Sequence, residues 1–163
     1  MLDASGLLSD MKAMGIEFEV CNHSPVFTMK ESGGLDLQLQ GERCKNLFLR
    51  DKKDRKFLIV TLADKLINLN DLRGILGVAR LSLASSEQLF ELLGVKPGSL
   101  TPFAIINDSR HEVKLVIDTA LLECDFLLLH PLNNEMTIQI TINSLSEYLQ
   151  RQGCDITWSK LGA

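Results

Sequence analysis

The 163-residue sequence predicts one domain of the mixed α/β class, a curved mixed β-sheet flanked by helices, with the domain spanning residues 1–163. Three observations predict it. Strand-like segments, either alternating or short and apolar, are interspersed with helical periodicities and punctuated by Gly, Pro and Asn. Most strand-like neighbours are joined by short turns, so the regular strand–helix–strand rhythm of an all-parallel sheet is missing. The composition, 45% hydrophobic and 23% charged, is that of an ordinary globular chain long enough to bury a core without disulfides.

In chain order, Leu7, Leu8, Met11 and Met14 share one helical face, and Gly15 is placed to stop that helix. Ile16, Phe18 and Val20 alternate with Glu17 and Glu19, the pattern of a half-buried strand. His23-Ser24-Pro25 reads as a turn, and Thr28 to Glu31 has the spacing of a capping box opening a short helix. The clearest hairpin joins Asn46 to Arg50 with Phe57 to Leu62 through the charged turn Asp51 to Arg55. Asn70 and Gly77 frame a helix carrying Leu72, Ile75 and Leu76, and a strand is expected near Val78 to Leu83. Ser85 to Gln88 caps a helix that ends near Gly94.

The segment Lys96-Pro97-Gly98-Ser99-Leu100-Thr101-Pro102 is the strongest turn signal, and it feeds a predicted apolar strand, Phe103 to Ile106. Strands at Val113 to Ile117 and Phe126 to Leu129 follow, the second running into His130-Pro131. A last strand is expected over Thr137 to Ile142, and Ser144 to Glu147 is expected to cap a final helix ending at Gly153.

Four scattered cysteines, with no CxxC pair, predict free thiols in a reducing compartment, and three histidines without close Cys or His companions predict no metal site. No apolar run reaches the ~20 residues of a membrane span, and the segment MLDASGLLSDMKAMG lacks the basic lead and apolar core of a secretory signal. A cytoplasmic protein with no membrane partner and no cofactor is therefore expected. A net charge of −4 argues against a general nucleic-acid coat and against DNA. Residues 42–56 nonetheless hold seven Lys/Arg against three Asp/Glu, a local +4 that leaves −8 elsewhere. Such a patch can grip a few phosphates, or it can be a solvated hairpin of mixed charge.

Nucleophile elbows, zincin motifs, phosphate loops and dinucleotide fingerprints are absent. Lys45, heading the hairpin with Asn46, reads either as a solvated edge residue or as a point charge for a phosphate. Gly98 to Pro102 is either a plain connector or a loop whose backbone N–H groups face an ester oxyanion. His130, at a strand end before a proline, suits a pocket or a structural hydrogen bond equally.

Taken together, HSPVFTMKES, GERCKNLFLRDKK, RLSLASSEQLFELLGVKPGSLTPFAIIND and LLLHPLNNEMT, in that order, closely resemble the bacterial prolyl-tRNA editing family. That family comprises YbaK-like aminoacyl-tRNA deacylases, related to the editing domain of prolyl-tRNA synthetase, and the resemblance runs from about residue 16 to residue 150. It implies a compact domain that hydrolyses the ester between a mischarged amino acid and the terminal ribose of a tRNA. The Lys-Asn pair followed by LFLRDKK resembles the free-standing, alanine-specific branch, for which the substrate is Ala-tRNA(Pro).

By resemblance, Lys45 matches the family's essential lysine, and Gly98 and Pro102 match the ends of its GxxxP loop. Asn46, Ser99, Leu100, Thr101 and His130 fall among the residues expected to line the amino-acid pocket. Arg43-Cys44 departs from the His-Thr of many relatives and leaves fine specificity open. The implied partner is mischarged tRNA(Pro), with prolyl-tRNA synthetase or an elongation factor as candidate protein partners. A cysteine-specific deacylase and a non-catalytic tRNA-binding module are the rival readings.

Overall fold

The structure, a computed structural model, describes residues 1–23 and 39–162. The expected turn at His23-Ser24-Pro25 falls mostly outside the described residues, and the capping box at Thr28 to Glu31 lies wholly outside them. The elements are α1 (Ala4–Ala13), β1 (Glu19–Asn22), β2 (Glu42–Asp51), β3 (Lys56–Leu62), α2 (Leu69–Leu76), β4 (Leu81–Leu83) and α3 (Ser86–Leu93). There follow a 3₁₀ helix (Pro102–Asn107), β5 (Val113–Asp118), a second 3₁₀ helix (Thr119–Glu123), β6 (Leu127–Leu129), β7 (Met136–Ile140), α4 (Ile142–Arg151) and β8 (Ile156–Ser159).

Among the described residues eight strands form one sheet in the order β1-β7-β6-β2-β3-β5-β8, with β4 also beside β2. β2–β3, β6–β7 and β1–β7 are antiparallel, whereas β2–β6, β3–β5 and β5–β8 are parallel, so the sheet is mixed as expected. The β2–β3 hairpin is pinned at its turn. Asp51, buried, accepts from the backbone N–H groups of Lys53 (3.0 Å) and Arg55 (2.8 Å) and from Arg55 Nε (2.6 Å).

Strand alternation divides β2, β3 and β5 between two cores. Phe48, Leu58, Val60, Leu115 and Ile117 join the larger one, which α1, α3, the first 3₁₀ helix and α4 cover with Leu7, Met11, Leu89, Leu93, Phe103, Leu145 and Tyr148. Leu49, Phe57, Ile59 and Val116 point the other way, into a smaller core closed by Leu72 of α2, Leu81 and Leu161. Among the described residues no helix is long and apolar enough to cross a membrane.

Several expected boundaries shift, each for a local reason. Phe103 to Ile106 is not a strand but part of the 3₁₀ helix. Pro102 presets the helical φ at its first position, and a short run of apolar residues does not distinguish a buried strand from a buried helical turn. The last helix is capped by Thr141, whose hydroxyl accepts from Ser144 N at 3.1 Å, so the strand before it stops at Ile140 and Ile142 is already helical. Asn68, rather than Asn70, caps α2, accepting from the N–H groups of Asn70 and Asp71. The first strand lies later than its alternation suggests, over Glu19–Asn22, and Val78 to Arg80 precede a strand of only three residues. β8 has no clear signal in the sequence; its weak pattern becomes a strand because β5 offers it a free parallel edge.

Candidate active site

β2 is the element that makes a crevice. On one edge it pairs with β3 from Cys44 to Arg50. On the other it meets β6 only at Glu42 and Arg43, and β4 only at Leu49 to Asp51. Among the described residues no strand lies beside the intervening stretch, and there β2 and β6 part. A small cavity of about 30 Å³ occupies the parting, lined by Arg43, Cys44 and Asn46 of β2, Leu128 and Leu129 of β6, His130, and Thr137 of β7. Two of the expected pocket residues, Asn46 and His130, thus meet.

The polar groups here are unevenly satisfied. Asn46 Oδ1 is buried and has no hydrogen-bond partner among the described residues, which is unusual because an unmet buried acceptor costs about 1–3 kcal/mol. His130 Nδ1 lies 3.3 Å from the carbonyl oxygen of Met136. Burial pushes the His130 imidazole below its ordinary value; the Met136 contact opposes this, and the neighbouring His23 and Arg43 add to it. The ring is therefore neutral near pH 7. His23 Nε2 stands 2.8 Å from Thr137 Oγ1, on the same side of the site.

Lys45 does not share this cavity. Successive side chains of a strand alternate faces, so Lys45 points away from Asn46, toward the smaller core. It pairs in register with Thr61, and its Nζ donates to the carbonyl oxygen of Lys65. Around it lies a closed ionic group. Asp118, 0% exposed, accepts from Lys65 Nζ (2.8 Å) and Thr61 Oγ1 (2.6 Å) through one oxygen, and from Ala120 N (3.0 Å) and Leu161 N (3.4 Å) through the other. Burial alone would raise the Asp118 carboxyl, but the Lys65 ammonium, Thr61 and the two backbone donors outweigh it and hold it below its ordinary value.

The Gly98 to Pro102 loop connects α3 to the 3₁₀ helix. Gly98 has φ +92°, a left-handed conformation that favours glycine, and Pro102 opens the helix. Ser99 and Thr101 are buried, Leu100 packs against the larger core, and Thr101 Oγ1 is a second buried group without a partner among the described residues. The backbone N–H groups of Leu100 and Thr101 donate no hydrogen bond among the described residues, as an anion-facing loop requires. No hydrogen bond among the described residues ties this loop to Lys45, Asn46 or His130.

Sequence reasoning missed three parts of the site. Thr137 of β7 meets His23, the residue just after β1, because those two strands pair; His23 reads in the sequence mainly as a turn, with only a weak pocket signal, and nothing local marks Thr137. Arg43 stands out in the sequence only as a departure from a family pattern, yet it lines the cavity. The Asp118–Lys65–Thr61 group gives no motif at all, because its members are linked only through β3–β5 pairing and the loop after β3. No group of three or more His, Cys, Asp or Glu able to hold a metal occurs among the described residues.

The mixed sheet thus opens between β2 and β6 on a small cavity that holds a neutral histidine. The chain belongs to the aminoacyl-tRNA editing domain family, whose model matches residues 23–148. It is thus an enzyme of the aminoacyl-tRNA deacylase class. It is 30% identical to the prolyl-tRNA editing protein ProX of Acetoanaerobium sticklandii over 148 residues, which cover 90% of each chain. It is 37% identical to prolyl-tRNA synthetase associated domain-containing protein 1 of Bos taurus, over 89% of this chain and 87% of that one. In fold it is similar to a candidate trans-editing enzyme for prolyl tRNA synthetase, with a TM-score of 0.71 at 17% identity, covering 100% of this chain and 99% of the other.

Proposed function

We propose that the protein is a free-standing trans-editing deacylase that clears Ala-tRNA(Pro). The observation that carries this reading is the Asn46–His130 cavity. Its volume of about 30 Å³ is on the scale of one water-sized group. A methyl side chain is of that size, and the proline ring, three methylenes closed on its own nitrogen, is not. Discrimination by exclusion is what editing needs, because a single methylene-scale difference in binding gives only about 10–200-fold selectivity.

In this reading Lys45, on the opposite face of β2 from the cavity, supplies a positive charge to the terminal nucleotide, while Asn46 Oδ1, within the cavity, accepts from the α-ammonium of the amino acid. A water attacks the carbonyl carbon, and the N–H groups of the Gly98 to Pro102 loop stabilise the resulting oxyanion. The intermediate collapses by breaking the bond to the ribose oxygen, which takes up the proton lost by the water. Free alanine and the intact tRNA are the products. An aminoacyl ester is already reactive, so no strong nucleophile is required of the protein. The basic hairpin, with Lys52 and Lys53 exposed beyond the Asp51-anchored turn, suits the phosphates of the tRNA.

The experiment is a hydrolysis panel with tRNA(Pro) carrying alanine, cysteine, serine or proline. Alanine should be removed fastest and proline spared. Faster removal of cysteine would assign the chain to the cysteine-clearing branch, and tRNA binding without turnover would leave a non-catalytic module.

A further inference from the structure

Resting on the reading of Lys45 as the substrate-anchoring charge, we propose that Lys65 and Asp118 are positioning residues for it. The Lys45 ammonium is held by the carbonyl oxygen of Lys65, a residue in the loop between β3 and α2. That loop has little to fix it from outside: Leu66, the next residue, is 90% exposed. Its attachments run inward. Ala63 N donates to Arg43 O at 2.9 Å, Lys65 N to Leu62 O at 3.1 Å, and the Lys65 side chain turns back to Asp118 at 2.8 Å. One residue therefore does two jobs, its ammonium gripping a buried carboxylate while its carbonyl seats a second lysine.

Asp118 is itself held in place, since four donors from β3, the loop, the second 3₁₀ helix and the C-terminal segment converge on it. The chain Asp118–Lys65–Lys45 thus carries the rigidity of the sheet to an ammonium that would otherwise sample many rotamers. Stability alone gives weak reason for a buried ion pair here, because well-packed apolar residues commonly do as well. A role in aiming Lys45 explains why the ammonium that grips Asp118 and the carbonyl that seats Lys45 belong to the same residue.

A double-mutant cycle tests this. Single-turnover deacylation of alanyl-tRNA is measured for the wild type, Lys65→Met, Lys45→Ala and the double variant, with urea unfolding run on each. Misaiming the anchor should make Lys65→Met roughly ten- to hundredfold slower in the presence of Lys45. On the Lys45→Ala background the same change should cost less than about twofold, since nothing is left to aim. Lys65→Arg, which still reaches Asp118, should keep most of the activity. Equal losses on both backgrounds would show a purely structural pair and overturn the proposal. An unaffected Lys45→Ala would overturn the reading of Lys45 itself, a distinct result. Should Lys65→Met fail to fold, the neutral combination Asp118→Asn with Lys65→Met replaces it in the same cycle: a loss confined to the Lys45 background supports the proposal, and equal losses overturn it.

Discussion

On the side of β2 that Lys45 faces, the polar groups are closed on one another: Lys45 on the Lys65 carbonyl, Lys65 and Thr61 on Asp118, and two backbone amides on the remaining Asp118 oxygen. On the side that Asn46 faces, Asn46 Oδ1 is buried and has no hydrogen-bond partner among the described residues; elsewhere Thr101 Oγ1, on the loop before the 3₁₀ helix, is another such group. Both sides belong to one strand, and adjacent residues differ only in the face they present. A buried polar group costs free energy unless it is met, so a region that leaves such groups unmet is either strained or shaped for a partner that arrives later. The closed side has the character of a support, the open side that of a receptor.

The largest effect that would break this contrast lies on the closed side. Asp118→Leu removes the common acceptor and leaves Lys65 and Thr61 with no partner for their buried ends, a loss of about 3 kcal/mol on the scale measured for broken buried pairs. Urea unfolding should show the midpoint falling with the slope little changed. The sign with pH follows from the depressed carboxyl. The contribution of Asp118 is fully present above its ordinary value of 3.8 and is lost as pH falls through the lower folded value. Unchanged stability in Asp118→Leu would mean that the closed side supports nothing.

Next in size is Lys45→Ala. The fold should survive, because Lys45 is only partly buried and serves no core. Deacylation should fall ten- to hundredfold, matching the loss of one charge-assisted contact of about 1.5–3 kcal/mol. Near-normal turnover in a folded variant would dismiss the anchoring role.

His130→Ala sharpens the open side. A wider pocket should raise hydrolysis of larger amino acids, prolyl-tRNA among them, while alanine removal falls by roughly tenfold or less, the scale of one neutral hydrogen bond. Because burial keeps the ring below its ordinary 6.5, the wild-type rate should not titrate there. Stability, by contrast, should be full above 6.5 and decline as pH drops below it, since the unfolded chain takes up the proton first. A uniform loss of about 10²–10⁴-fold for every substrate, with a rate titrating near 6.5, would instead mark His130 as a general base.

What could be read from residues alone follows the same division. The hairpin, the GxxxP loop and His130 announce themselves, because alternation, turn chemistry and a histidine before a proline are local signals. Their juxtaposition is less legible. Lys45 and Asn46 are neighbours in sequence and look like one pair, yet period-two geometry sends them to opposite faces. Asp118 shows nothing in its own surroundings, for it acts only once β3 and β5 lie parallel and Leu161 closes over it. The 3₁₀ helix that reads as a strand has the same origin. Phe103 and Ala104 are wholly buried, and complete burial erases the periodicity that separates helix from strand.

The smallest effect expected is none, and it bears on whether the open side is merely reactive. Cys44 borders the cavity beside Asn46, so a nucleophilic thiol there would recast the site as covalent chemistry. Its surroundings argue against that. Burial pushes the Cys44 thiol up to about 12, with Cys124 and Glu42 adding to the shift, so thiolate is scarce at neutral pH. Burial likewise raises Cys124, helped by Glu42, and Cys154, helped by Asp108. A reactive cysteine needs the opposite setting, an electropositive and accessible one. Under native conditions iodoacetamide should therefore leave alanyl-tRNA hydrolysis unchanged, with peptide mapping showing Cys44 unmodified. Chelator treatment should also be without effect. Loss of activity in step with alkylation of Cys44 would show that the open side holds a nucleophile. Loss to a chelator, reversed by zinc, would show that it holds a metal.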